Sequence, residues 1–128
     1  MSHDLQMLVW SAVLAIVQML VAAVAANRQL GTPTLVGNRE SVPALTGWAG
    51  RAQRAHLNML ESLAIFAIFV IVAQLTGRAN ASTALGATLF FGARLIYAVV
   101  YIAGIPWLRT LVWVVSFAGI ILVARPLL

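Results

Sequence analysis

Seven polar side chains recur at helical spacing inside a chain that is otherwise largely apolar. Arg51, Arg54, Asn58 and Glu61 follow one another at steps of three, four and three, which places them on one face of a helix. Arg94, Tyr97 and Tyr101 do the same at steps of three and four. The first series runs into the apolar block Ser62 to Leu75 and the second lies within another such block. Both stripes therefore belong to segments that would enter a bilayer. An arginine near the bilayer centre costs about 2.5–3.5 kcal/mol on insertion scales, so such groups face a bundle interior or a ligand. Several arginines beside a single glutamate leave positive charge over. An anionic ligand would neutralise it through charge-assisted hydrogen bonds. The competing reading is structural: Arg94 and Glu61 pair only to satisfy each other. That pair leaves Arg51, Arg54, Asn58, Tyr97, Tyr101 and Arg109 crowding the same layer without a reason.

The elements that must carry these residues follow from composition. The chain has 128 residues, 62% hydrophobic and 9% charged, with a mean hydropathy of +0.99. That is the composition of an integral membrane protein. A spanning helix takes about 20 apolar residues, so the expected fold is an all-α, four-transmembrane-helix bundle forming a single domain. The eight basic residues are all arginine, against the acids Asp4, Glu40 and Glu61, for a net charge of +5. The arginines gather around one connection and its flanks, which fits a positive membrane face and not a nucleic-acid surface. With no cysteine, a disulfide framework, a thiolate metal site and a cysteine nucleophile are excluded. No metal-ligand cluster, nucleophile triad or phosphate-cradling glycine loop is evident.

The first span is expected at about 5–26. It is too long for a signal peptide and lacks a positive leading segment, so retention is expected. Gln18 is its one mid-span amide and a candidate for an interhelical hydrogen bond. Asn27 to Gly47 carries Gly31, Pro33, Gly37, Pro43 and Gly47, enough breakers to argue against a long helix there; its length suggests a functional loop. The second span is expected at 48–76, the third at 83–103 and the fourth at 107–124, with Gly104-Ile105-Pro106 breaking the last two apart. Arg28, Arg39, Arg51, Arg54 and Arg109 fall at one end, and Arg78 and Arg125 at the other. The positive-inside rule then puts the first and third connections in the cytoplasm and both termini outside.

The short turn makes the second and third spans an antiparallel hairpin. If it centres near Ala79-Asn80, equal rise in the two helices sets Asn58 against Tyr101, Glu61 level with Tyr97 and Arg51 level with Arg109. Arg94 sits one turn deeper than Glu61, within its reach. His56 follows the stripe out of phase and reads as a packed or interfacial histidine. Trp10, Trp48, Trp107 and Trp113 read as interface anchors or packing residues.

The segments Arg-Ala-Gln-Arg-Ala-His-Leu-Asn-Met-Leu-Glu (51–61) and Phe-Gly-Ala-Arg-Leu-Ile-Tyr-Ala-Val-Val-Tyr (91–101) resemble the MAPEG family of membrane-associated proteins in eicosanoid and glutathione metabolism. The resemblance covers about residues 37–123. It implies a homotrimer of four-helix subunits with glutathione as co-substrate, bound between neighbouring subunits near the cytoplasmic side. Carried over by position, Arg51, Arg54, Asn58, Glu61, Arg94, Tyr97 and Tyr101 look like the glutathione-binding set. Arg109 looks like the thiol-activating, catalytic arginine. The proline usual shortly after the motif's glutamate is missing here (Ser62-Leu63-Ala64-Ile65). The spacing from Tyr101 to Arg109 also differs by a residue from some branches. The implied activity is glutathione transfer to, or reduction of, a small hydrophobic electrophile arriving from the bilayer. Two rivals stand beside it. One is a four-helix, proton-coupled exporter of cations built on Glu61, which the neighbouring arginines disfavour by repelling such a substrate. The other is a non-catalytic protein of the same fold.

Overall fold

The computed structural model describes residues 1–128. Helix α1 spans His3–Leu30, a short α2 Thr32–Val36, α3 Gly47–Leu75, α4 Ala81–Ala103 and α5 Pro106–Ala124, followed by a 3-10 turn at Arg125–Leu127. Four of these are long and apolar enough to cross a membrane, as the hydropathy requires. The ends are set by local chemistry. Ser2 caps α1 by accepting from the Leu5 backbone N–H, with Asp4 in the first turn where the helix dipole favours an acid. Asn80 and Thr83 form a reciprocal capping box that starts α4. Gly104 ends α4 in the left-handed region (φ 80, ψ 36), and Pro106 opens α5 at a position where its missing N–H costs nothing.

One expectation about the chain path is corrected. α1 does not stop at Ala26 but runs on to Leu30, because the first real breaker is Gly31, and Asn27 to Leu30 contain nothing that forbids a helix. The connection, expected to hold no long helix, contains only the one-turn helix α2, with Pro33 in its first turn. The connection is then tied to both neighbours by Gln29. Its side-chain Oε1 accepts from the Thr46 backbone N–H at 2.8 Å and its Nε2 donates to the Thr46 carbonyl at 3.2 Å.

The hairpin register is also corrected. Phe66 and Phe90 stack with centroids 4.0 Å apart, and they lie twelve residues before and after Arg78. The turn therefore centres on Arg78 and not on Ala79-Asn80. Two unwound residues on the Gly77 side, where φ is +70, account for the shift.

The core is narrow. Leu14 and Ala15 of α1, Met59, Phe66 and Val70 of α3, Ala87 and Phe90 of α4, and Ile120 and Val123 of α5 form one buried cluster. α4 and α5 cross most closely at Gly86 and Gly119: a Cβ on Gly119 would lie 2.7 Å from the Gly86 carbonyl and 2.8 Å from the Phe90 amide. Small residues at a crossing are how membrane helices gain packing energy where lipid tails remove any hydrophobic drive. Large apolar side chains point outward along all four spans, among them Ile16, Leu20, Ile68, Ile71, Val99, Leu111 and Ile121. In lipid that exposure costs nothing.

A polar cleft between three helices

The two stripes meet at the end of the bundle that carries Gly104. Arg54 of α3 donates through Nε to the Tyr101 hydroxyl of α4 at 3.3 Å. The guanidinium of Arg109 on α5 sits 4.7 Å over the ring of Tyr101, and that of Arg94 sits 4.2 Å over Tyr97. Tyr97 and Tyr101 meet edge to face at 5.5 Å. Each tyrosine ring thus offers the negative quadrupole of its face to one guanidinium, Tyr97 to Arg94 and Tyr101 to Arg109, while Arg54 holds the Tyr101 hydroxyl. Arg54, Asn58, Tyr97, Tyr101, Arg109, Thr110 and Trp113 enclose a cleft of about 320 Å³, within the usual size of small-molecule sites.

A second hollow of about 230 Å³ adjoins it, sharing Asn58 and Trp113 and lined further by Glu61, Ser62, Ile65, Ser116, Phe117 and Ile120. The first space is walled by cations, an amide and phenols, and has no acid. The second is mainly apolar, with Glu61 at its rim.

Of the eight residues singled out in the sequence, five line the first cleft and Glu61 lines the second. The other two are placed differently. Arg51 turns toward the α4–α5 turn, donating through Nε to the Ile102 carbonyl at 2.9 Å and packing beside Gly104. Arg94 is 1% exposed, beneath Tyr97, and none of its three guanidinium nitrogens has a hydrogen-bond partner. The expected Arg94–Glu61 contact is therefore absent. With the corrected register the two residues are close in depth. What separates them is rotation: Arg94 points into the bundle while Glu61 lies on the exposed face of α3. The interhelical hydrogen bond expected of Gln18 is absent too, since both its amide atoms are buried without a partner.

Thr110 and Trp113 belong to the cleft and Ser116 to the adjoining hollow, yet sequence reading assigned none of them to the site. A signal was there: Arg109, Trp113 and Ser116 follow at steps of four and three, the same face of α5 that presents the arginine. Trp113, read as an interface anchor or packing residue, forms the shared wall of both spaces.

The set suits an anionic ligand with amide groups, its cations facing carboxylates and Asn58 and the tyrosines facing amides. Asn58 fits this too, since its Oδ1 is buried without a partner and is free to accept. Three or more His, Cys, Asp or Glu side chains grouped to hold a metal do not occur.

Fold and cleft together define a multi-pass integral membrane protein of four helices with a cationic, aromatic pocket near one end. The chain belongs to the MAPEG family, whose family model matches residues 7–126. No curated protein and no solved structure matches it.

Proposed function

We propose that this protein is a membrane glutathione transferase that joins the thiol of glutathione to small hydrophobic electrophiles. The observation that carries the reading is the pair of adjoining spaces, one cationic and polar, the other apolar, that share Asn58 and Trp113. Family membership supports it independently.

In this reading Arg54 takes a glutathione carboxylate, Asn58 and the tyrosine hydroxyls take its peptide groups, and Glu61 accepts from its ammonium. Arg51 adds positive field at the mouth and Arg94 adds it from beneath Tyr97. Arg109 holds the thiol end. A thiolate is the nucleophile, and a neighbouring guanidinium favours it by stabilising the charged form. The proton leaves to water at the mouth. The sulfur then forms a bond to the electrophilic carbon, and the electron pair of the bond that breaks departs with the leaving group or takes up a proton. The apolar hollow beside Trp113 and Phe117 holds the electrophile, which reaches it through the lipid.

Arg54 and Glu61 lie on an exposed face of a spanning helix. Charges so placed need cover, which supports a homotrimer whose neighbouring subunits close the cleft. The cytoplasmic placement of this end rests on its excess of arginine. The exporter reading gains nothing: the hollow lined by Glu61 adjoins the cleft walled by Arg54 and Arg109, which would repel a cationic cargo. Calorimetry of the purified trimer with glutathione tests the reading. Saturable heat that is lost in Arg54→Ala supports it, and absence of heat overturns it.

A further inference from the structure

The opposite face of α3 borders a second polar cavity that the proposed chemistry does not use. It holds about 220 Å³ between α1, α3 and the connection joining them, against Met19, Ala22, Ala23, Ala26, Leu35, Arg39, Leu45, Gln53, His56 and Leu57. Three of these, Arg39, Gln53 and His56, bring polar atoms to a wall that is otherwise apolar.

Two further features single the place out. Arg39 is the only non-glycine residue with positive φ, at +59. Its Nε donates to the Leu35 carbonyl at 2.6 Å, which fixes the side chain against the cavity and leaves the terminal nitrogens free. A residue persists in that strained region only when its surroundings hold it there, and such outliers gather at binding sites. His56 Nδ1, in turn, is buried without any hydrogen-bond partner. Buried polar atoms in native proteins are ordinarily satisfied.

We infer that this cavity binds the head group of an anionic phospholipid, its phosphate on Arg39 and Gln53 and its glycerol ester region against His56. Size, charge and position all favour that occupant. The volume lies below the roughly 300–1,000 Å³ of ordinary ligand sites, so it suits a head group while the acyl chains stay outside. At its rim, the lining residues Met19 and Leu57 and the neighbouring Leu20, each close to half exposed, offer a surface for those chains. The charge balance at this end favours an anion: Arg28, Arg39, Arg51, Arg54 and Arg109 stand against Glu40, which is exposed and does not line the cavity. Arg39 supplies several N–H groups in a planar fork, the geometry that matches phosphate oxygens. The Gln29–Thr46 clasp keeps the connection folded over the groove. The site is independent of glutathione, since the two cavities have no residue in common.

The test is native mass spectrometry of the detergent-purified protein with phosphatidylglycerol, phosphatidylcholine or free glycerol phosphate, alongside its thermal unfolding with each. Phosphatidylglycerol should be retained in preference to phosphatidylcholine by tenfold or more and should raise the unfolding temperature, while glycerol phosphate alone does neither. Arg39→Gln should erase the preference. So should Ala23→Phe, which fills the groove from an exposed position and leaves every charge in place. Arg28→Gln, which removes a charge at the same end but outside the cavity, should keep it. Equal losses in Arg28→Gln and Arg39→Gln, or an unchanged preference in Ala23→Phe, would reduce the effect to general positive charge and overturn the site. Stabilisation by glycerol phosphate alone would overturn the lipid as its occupant. Glutathione binding in Ala23→Phe stays as in the parent whether the lipid site stands or falls.

Discussion

Arg94 lies under Tyr97 with its guanidinium 4.2 Å from the ring centre and no hydrogen bond to any of its nitrogens. A buried guanidinium held only by an aromatic face is an unstable way to build a bundle and a useful way to hold a positive field beneath a pocket for an anion. An unsatisfied buried polar group costs about 1–3 kcal/mol, and more when charged. Arg94→Met should therefore raise the unfolding temperature of the ligand-free protein while weakening glutathione binding. Thermal unfolding with and without glutathione checks both. A destabilised ligand-free variant would mean that Arg94 has a structural partner.

Glu61 gives the complementary result. Because it is exposed and does not pair with Arg94, Glu61→Gln should leave ligand-free stability nearly unchanged. A truly broken buried pair would cost about 3–5 kcal/mol. A large drop in unfolding temperature would restore the pairing that the geometry denies.

The Gly86–Gly119 crossing predicts a different kind of failure. Gly119→Ala forces a methyl toward the Gly86 carbonyl and the Phe90 amide; backbone atoms on both sides leave no flexible group to yield. Overpacking of this kind costs about 1–3 kcal/mol. The variant should unfold at lower temperature, and its α4–α5 splay should loosen the cleft and weaken glutathione binding with it. An unchanged unfolding temperature would show that the crossing is looser than described.

Trp113 separates the two adjoining spaces. Trp113→Ala should raise KM for an apolar electrophile tenfold or more while changing that for glutathione less, because the proposed glutathione contacts come mainly from Arg54, Asn58, Arg109 and the tyrosines. Steady-state kinetics with each substrate varied in turn decides it. A larger change for glutathione would move the electrophile elsewhere.

The membrane class and the four spans were legible because bilayer thickness fixes a length and a hydropathy for each helix. Both polar stripes were legible because side chains three and four apart must share a face. Rotation was not legible: periodicity groups Glu61 with Arg54 but does not say that this face of α3 looks outward while Arg94 looks inward. Depth was legible only to about one turn, since the two residues unwound at the Gly77 side moved the hairpin centre to Arg78. Trp113 was hidden by a general rule about tryptophan at interfaces that the spacing from Arg109 to Ser116 outweighs. The Arg39 conformation had no sequence signal, because its left-handed backbone depends on how the connection folds over α1 and α3.

The account rests on Arg109 turning glutathione into a thiolate in the cleft beside Tyr101. The most direct measurement is the ultraviolet difference spectrum on adding glutathione at neutral pH, with proton release followed in weak buffer. The parent protein should show thiolate absorbance and release a proton. Arg109→Ala should still bind glutathione by calorimetry yet show neither signal, and Arg54→Ala should lose binding first. A parent protein that binds glutathione without forming thiolate, or an Arg109→Ala variant with undiminished thiolate, would contradict it.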